Sequence, residues 1–476
     1  MNNLAGRSEE IVHLSKIAAS GEAELVAVYG RRRVGKTFLI RNFFGKQMAF
    51  EFSGIHDATL DQQLENFICV LSKTAGSLPL AKPSNWIQAF QLLADYLTPI
   101  IRKQRKVVFL DEFPWINTKR SGFLQAFENF WNSWACKQNN LIIVICGSAA
   151  SWMIQNVIRN KGGLHNRVTR KLRLMPFTLA ETEVYLKSRK INLDRYQILQ
   201  LYMAMGGIPH YLKEIERGES AAQAIDRICF TKDGILNEEF QNLYLSLFEN
   251  ARTHMEVIRA LARKNSGLSR NEIIESCRLT SGGGTTQLLE ELRESGFITP
   301  YIPFGRTAKD ALYRLTDEYS LFYIKFIENS RAAGPGTWIK LSTSPAWRSW
   351  SGYAFESICM KYSQSLKKAL GIENVQTEIS VWRQSAENGI DGSQIDMLID
   401  RRDQCINICE MKFSLNDFEI TKSYVKELEH KIKVFREHTK TRKSLFLTMV
   451  TTYGIKNSEN HAGLVQSQVT MEALFK

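Results

Sequence analysis

Leu25-Val26-Ala27-Val28-Tyr29-Gly30-Arg31-Arg32-Arg33-Val34-Gly35-Lys36-Thr37-Phe38-Leu39-Ile40 decides how this chain is read. An apolar run leads into G-x-x-x-x-G-K-T and apolar residues resume behind it, so the local order is strand, loop, helix. The glycines allow the backbone to wrap closely, and the amides of Gly30, Arg31, Arg32, Arg33, Val34 and Gly35 can then point inward at phosphate oxygens. Lys36 can reach the terminal phosphates, and the Thr37 hydroxyl falls where a magnesium ion is held. The stretch predicts a bound nucleoside triphosphate. A chance glycine turn is the bland alternative, and it leaves the flanking strand and helix as coincidence.

Outward from this loop, residues 1–215 alternate apolar strand-like runs with longer helical stretches, the pattern of a parallel sheet covered by helices. Val107–Leu110 and Leu141–Cys146 are the next strand candidates. In such a sheet the residues just after each strand converge on one crevice. The second run ends in Asp111-Glu112, where Asp111 can hold magnesium through water and Glu112 can polarise an attacking water; a pair of helix-capping carboxylates is the alternative. The third ends in Cys146-Gly147-Ser148-Ala149. Ser148 either touches the γ-phosphate or the attacking water, or caps the segment holding Trp152 and Met153. Gly162 to Arg173 is glycine-led and basic, and an arginine there can neutralise charge on the transferred phosphoryl group, in cis or from a neighbouring subunit.

A length of 476 residues points to two to four domains, and 44% hydrophobic with 23% charged residues fits a folded chain. The net charge of +13 favours a polyanionic partner, nucleic acid ahead of a membrane surface. Eight cysteines without C-x-x-C pairs indicate neither a zinc module nor a disulfide framework. The Met1-Asn2-Asn3-Leu4 start carries no apolar signal segment, and no apolar run approaches the ~18 residues that span a bilayer, so a cytoplasmic location without membrane contact is expected.

Between 216 and 335 the sequence turns helical. Ser269-Arg270-Asn271-Glu272 is a capping box, Gly282-Gly283-Gly284 leads into a helix bearing Leu288, Leu289 and Leu292, and two apolar runs at 296–298 and 312–315 suit a hairpin with Arg306 and Lys309 at its tip. This is a winged-helix layout. Thr285, Thr286 and Gln287 would read bases if it binds DNA, and a lid or protein-docking role fits equally.

Ala333-Gly334-Pro335-Gly336 reads as a linker, after which Ser351–Glu356 opens a helix. Gln394–Ile399 and Cys405–Lys412 look like paired strands. Alternation puts Glu410 and Lys412 on one face, and pairing brings Asp396 beside them, two carboxylates and a lysine that suit a magnesium site for attack on a phosphodiester. Solvated charges on an edge strand are the alternative. Lys422, Lys426, His430-Lys431-Ile432-Lys433, Arg436, Lys440 and Arg442-Lys443 follow on a helical stretch that suits a phosphate backbone or simply a solvated face.

The order Gly-Arg-Arg-Arg-Val-Gly-Lys-Thr, Phe-Leu-Asp-Glu-Phe, Gly-Ser, Arg then Pro-Phe-Thr, and Gly206-Gly207-Ile208-Pro209-His210-Tyr211-Leu212 resembles the archaeal and bacterial AAA+-like, STAND-related P-loop ATPases. That resemblance implies ATP and Mg2+ as cofactors. Lys36 and Thr37 would bind phosphate and metal, Asp111 the metal and Glu112 the catalytic water, with Ser148 as sensor. Arg167 would be the arginine finger, with Arg170 as the other candidate, and a finger acting in trans would require a homo-oligomer. Residues 345–455 resemble the PD-(D/E)xK nucleases, with Asp396, Glu410 and Lys412 in the core pattern, Glu356 as the helix carboxylate, and Ile395 where proline is usual. The expected fold class is α/β. A P-loop NTPase parallel sheet with the start of a helical lid occupies 1–215, a helical winged-helix domain 216–335, and an α/β restriction-endonuclease-like domain 336–476. The expected function is a Mg-ATP-hydrolysing ATPase coupled to a DNA-directed, metal-dependent nuclease module. The alternative is a nucleotide-regulated DNA- or protein-binding switch whose nuclease-like domain is not catalytic.

Overall fold

A computed structural model describes residues 4–76, 80–159, 162–164, 166–330, 334–384, 392–456 and 463–476. Of the segments quoted above, 1–3, His165 and Ala333 lie outside these. The chain falls into two units, Met1–Phe177 with Ile208–His210 and Ser246–Glu249, and Thr178–Gly207 with Tyr211–Leu245 and Asn250–Lys476.

In the first unit β1 (Glu24–Tyr29), β2 (Met48–Ser53), β3 (Lys106–Asp111), β4 (Leu141–Gly147) and β5 (Arg170–Arg173) form a sheet in the order β2-β3-β4-β1-β5, every pairing parallel. The three apolar runs expected to be strands are β1, β3 and β4. They read as unbroken apolar runs because helices cover both faces of a parallel sheet, and β4 is buried along its whole length. Helix Leu60–Ala75 begins with a Thr59–Gln62 capping box, and Asn85 caps Trp86–Ile101. These helices bring Phe67, Trp86 and Phe90 against Phe52, Phe113, Phe123 and Phe127. Each such ring contributes roughly 1.5–3 kcal/mol by leaving water, so this cluster anchors the helices on the β2–β3 side of the sheet.

The second unit opens with helices Leu179–Ser188 and Arg195–Met205. Ser269 then caps helix Arg270–Ser276 through the expected box with Glu272, helix Gly283–Glu294 follows, and β6 (Leu268–Ser269), β7 (Ile298–Tyr301) and β8 (Leu312–Leu315) form a small antiparallel sheet in the order β6-β8-β7. Helix Pro345–Lys361 starts at the Ser344 cap with Pro345 in its first turn, so Ser351 lies inside it and does not open it. A mixed sheet, β13-β12-β11-β10-β9, comprises β9 (Thr377–Gln384), β10 (Ser393–Arg401), β11 (Cys405–Lys412), β12 (Ser444–Thr451) and β13 (Val465–Thr470). β10 pairs antiparallel with both β9 and β11, whereas β11, β12 and β13 run parallel. Parallel β11 and β12 need a crossover, and helix Lys422–Thr439 supplies it, packing Leu428 and Phe435 against Ile395, Ile408 and Met449.

Candidate functional sites

All strands of the first sheet run one way, so their carboxyl ends share an edge, and the loop after β1 lies there. Gly30 has φ 144°, and a Cβ on it would sit 2.2 Å from the Leu174 carbonyl oxygen; Gly35 has φ 91°. Both positions demand glycine, one for space and backbone, the other for backbone alone. Lys36 is buried, and its ammonium donates to the Gly30 carbonyl at 3.0 Å and the Arg31 carbonyl at 2.9 Å. Burial lowers its pKa, which the nearby Glu112 and Asp111 carboxylates partly counter. The loop therefore already points its lysine inward. From the amino-terminal side, the buried Arg7 guanidinium donates to the Val34 carbonyl at 3.0 Å and lies over the Phe177 ring, a brace on the loop that the sequence reading missed.

The structure brings four further predicted residues to this edge. Thr37 Oγ1 donates to Asp111 Oδ2 at 2.7 Å. Asp111 Oδ1 accepts from the Glu112 amide at 3.0 Å, and Glu112 adopts a left-handed backbone, φ 45° and ψ 47°, that re-aims its side chain at the end of β3. There Glu112 Oε2 accepts from Ser148 Oγ at 2.9 Å. Neither capping alternative is seen. Ala149, not Ser148, holds the cap position of the next helix, and Glu112 makes no side-chain cap. A hydroxyl and a carboxylate oxygen side by side form a hard donor set that fits Mg2+, which takes few protein ligands and completes its shell with water and phosphate.

Arg167 is not brought to this group. β5 pairs Val26 with Arg170 and Tyr29 with Arg173, and the Thr169 amide bonds to the Leu25 carbonyl. Arg167, exposed in a turn before β5, thus lies toward the start of β1, at the edge opposite the phosphate loop. Arg170 turns the same way and pairs with Glu24 at 3.8 Å. Arg173, the last arginine of that basic stretch, stands level with Tyr29 beside the loop.

In the second unit, the β10–β11 register of Met397 with Cys409 sets Asp396 opposite Glu410. Glu410 is buried and accepts from Lys412 Nζ at 3.0 Å, from Tyr424 OH at 3.0 Å, and from Lys431 Nζ at 3.0 Å on each oxygen. Burial alone would raise its pKa, but Lys412 and Lys431 outweigh that and hold its carboxyl below the ordinary value. Asp396 is pushed up to about 6 by burial and by Glu410, and Glu356 to about 8 by burial and by Asp396. Asp396, Glu410, Lys412 and Glu356 therefore share one electrostatic site. Among the described residues no set of three or more His, Cys, Asp or Glu is gathered as a metal cage. The donor chemistry that fits here is two facing carboxylates with water, as Mg2+ accepts.

Tyr424 was not singled out from sequence, and Lys431 only as one basic residue of this helix, although a separation of seven already sets the two on one face. Lys422, Lys426, Lys433 and Arg436 are exposed along the same helix, and Lys440 just past its end. Thr286, Gln287, Arg306 and Lys309 are exposed too, but Thr285 is buried, its hydroxyl donating to the Thr280 carbonyl at 2.7 Å, so it cannot read a base. All eight cysteines are free thiols, and among the described residues no helix is long and apolar enough to cross a membrane.

Residues 4–215 match the family described as an ATPase domain predominantly from Archaea. With the parallel sheet and its loop, this makes that part of the chain a P-loop ATPase domain, for which nucleotide binding follows. The chain is 24% identical over 433 residues to an uncharacterized protein of Methanocaldococcus jannaschii, MJECL04, covering 90% of this chain and 91% of that one. Among solved structures it is similar to the Walker-type ATPase PABY2304 of Pyrococcus abyssi, with 16% identity and a TM-score of 0.49 over 67% of this chain and 96% of that one. It is also similar to the ORC2 protein of Aeropyrum pernix, with 14% identity and a TM-score of 0.44 over 72% and 96% of the two chains.

Proposed function

We propose that the chain is a Mg-ATP-hydrolysing switch, and that ATP turnover in residues 1–215 governs a winged-helix segment within 216–335 and a metal-dependent, DNA-cleaving PD-(D/E)xK-like domain within 336–476. One observation carries the ATPase half of this reading. The Thr37–Asp111 and Glu112–Ser148 hydrogen bonds, made between residues far apart in sequence, gather around the inward-pointing Lys36. Lys36 would exchange its loop carbonyls for phosphate oxygens, and the loop amides would hold the rest of the triphosphate. Thr37 and Asp111 would hold magnesium, which when bound neutralises charge across the phosphates. Glu112 Oε2, released by Ser148, would accept the proton of the attacking water.

For the second site, the support is the facing Asp396 and Glu410 carboxylates with Lys412 between strand and helix. Asp396 and Glu410 would hold the metal, Glu356 would hold a proton near it, and the exposed lysines of helix Lys422–Thr439 would follow the DNA backbone. A second reading has one observation in its favour. Glu410 is already saturated by Lys412, Lys431 and Tyr424, as expected if the domain only binds nucleic acid or protein.

The test has two arms. Lys36→Ala should abolish nucleotide binding and Glu112→Gln should retain ATP without hydrolysing it; normal turnover in either removes the ATPase assignment. Plasmid DNA incubated with ATP and Mg2+ or Mn2+ should be cleaved by the parent protein but not by Lys412→Ala, whereas binding without cleavage selects the switch.

A further inference from the structure

The lysine in the PD-(D/E)xK pattern is Lys412, yet a second lysine makes the closer engagement with the same carboxylate. Lys431 comes from the crossover helix, its side chain 15% exposed, and its ammonium straddles both oxygens of Glu410 at 3.0 Å. Tyr424, one face and two turns earlier, donates to Oε1 as well. Glu427 offers Lys431 a second acceptor at 3.4 Å on the solvent side, its own side chain 55% exposed. The ammonium thus has an inner partner and an outer one, and needs only a rotamer change to pass between them.

From this geometry we infer that Lys431 is a resident counter-ion that competes with the divalent cation for Glu410, and that DNA phosphate draws it away. The inference rests on the metal-site reading given above. A cation at Asp396 and Glu410 would find two ammonium groups on one of its ligands, and repulsion at such short range in a buried site weakens its binding. Once Lys431 swings outward past Glu427 it joins the exposed lysines of its helix, where a phosphate can hold it. Metal and DNA then favour each other's binding, because each removes what obstructs the other. Lys431 is a positioning residue here, not a catalytic one.

The test is calorimetric titration of the full chain with Mn2+, with and without a short DNA duplex under non-cleaving conditions. Lys431→Met should bind Mn2+ about tenfold tighter or more than the parent, in keeping with one close ammonium removed from a ligand. Lys431→Gln keeps a donor for the buried Glu410 and should show the same gain, which covers the case where the methionine variant fails to fold. Lys431→Arg should stay near the parent. Duplex should tighten Mn2+ binding to the parent but not to Lys431→Gln. Equal or weaker Mn2+ affinity in Lys431→Gln, with Asp396→Asn unable to bind, overturns the role of Lys431 alone. Mn2+ affinity unchanged in Asp396→Asn removes the metal-site reading itself.

Discussion

Ser148 holds Glu112: the hydroxyl at the end of β4 donates to Glu112 Oε2 at 2.9 Å, joining the ends of two neighbouring strands. The left-handed backbone of Glu112 turns its side chain toward the end of β4, and this hydroxyl holds the carboxylate there. Ser148→Ala should then lower ATP hydrolysis by about tenfold to a hundredfold, the usual cost of misplacing a group that positions water. Nucleotide affinity should change little, because Ser148 bonds neither Lys36 nor Thr37. Steady-state turnover alongside nucleotide titration separates the two quantities, and a fall in affinity with unchanged turnover would contradict the assignment.

The two loop glycines should respond differently to alanine. Gly30→Ala sets a Cβ 2.2 Å from the Leu174 carbonyl, a backbone atom that cannot move without shifting the segment after β5. A loss of about 3 kcal/mol or more is expected, the strained backbone adding to the roughly 1–3 kcal/mol usual for an overpacked core. Gly35→Ala meets nothing within 4 Å and carries only the left-handed backbone cost, about 1–2 kcal/mol. Denaturant unfolding of both variants checks the order, and equal losses would mean that the loop relaxes around Gly30.

Much of this site was legible because its residues follow runs buried on both faces. β1, β3 and β4 have no polar face, so their apolar runs and the residues after them stand out in the chain, and parallel pairing fixes which ends meet. β5 could not be read so. Arg170-Lys171-Leu172-Arg173 is an edge strand with one buried residue, indistinguishable from a basic loop, and only its register beside β1 tells which arginine lies near the phosphates. Lys431 is a similar case. In the sequence it is one of several basic residues on a helix, and the turn of that helix toward β11 is a tertiary fact. Asp396 and Glu410 were legible together because a period of two and an antiparallel pairing leave little freedom in what faces what.

Glu356 makes the second unit sensitive to pH. Its pKa is raised to about 8, by burial first and by Asp396 next, whereas an unfolded glutamate titrates near the usual 4.5. Between these values the folded chain holds a proton that the unfolded chain has released, so stability falls as pH rises and levels off above the folded value. With a chelator present, Glu356→Gln should gain on the parent by roughly 2–4 kcal/mol between pH 5 and pH 8. Asp396, raised to about 6, adds to the slope with the same sign. Adding Mn2+ should shrink the difference, since a cation compensates the charge that burial opposes. Parallel pH profiles for parent and variant would show that Glu356 is solvated in solution.

Position in the sheet also separates the arginines. Arg173 is level with Tyr29 at the phosphate-loop edge, whereas the Glu24-paired Arg170 stands three strand residues back, roughly 10 Å away at ~3.3 Å per residue, and Arg167 lies in the turn before it. Arg167, exposed in the turn before β5, is therefore the arginine to test for donation to another copy of the chain. Arg173→Ala should therefore lower turnover at every protein concentration, by about tenfold or more if it neutralises phosphate charge. Arg167→Ala should leave dilute protein unaffected and lower turnover only where the chains associate, as followed by light scattering with a nonhydrolysable ATP analogue. Mixing Arg167→Ala with Glu112→Gln then decides the matter. Each variant lacks what the other retains, so activity reappearing in the mixture requires an arginine donated between chains, while a mixture no more active than its parts leaves Arg167 without a part in hydrolysis.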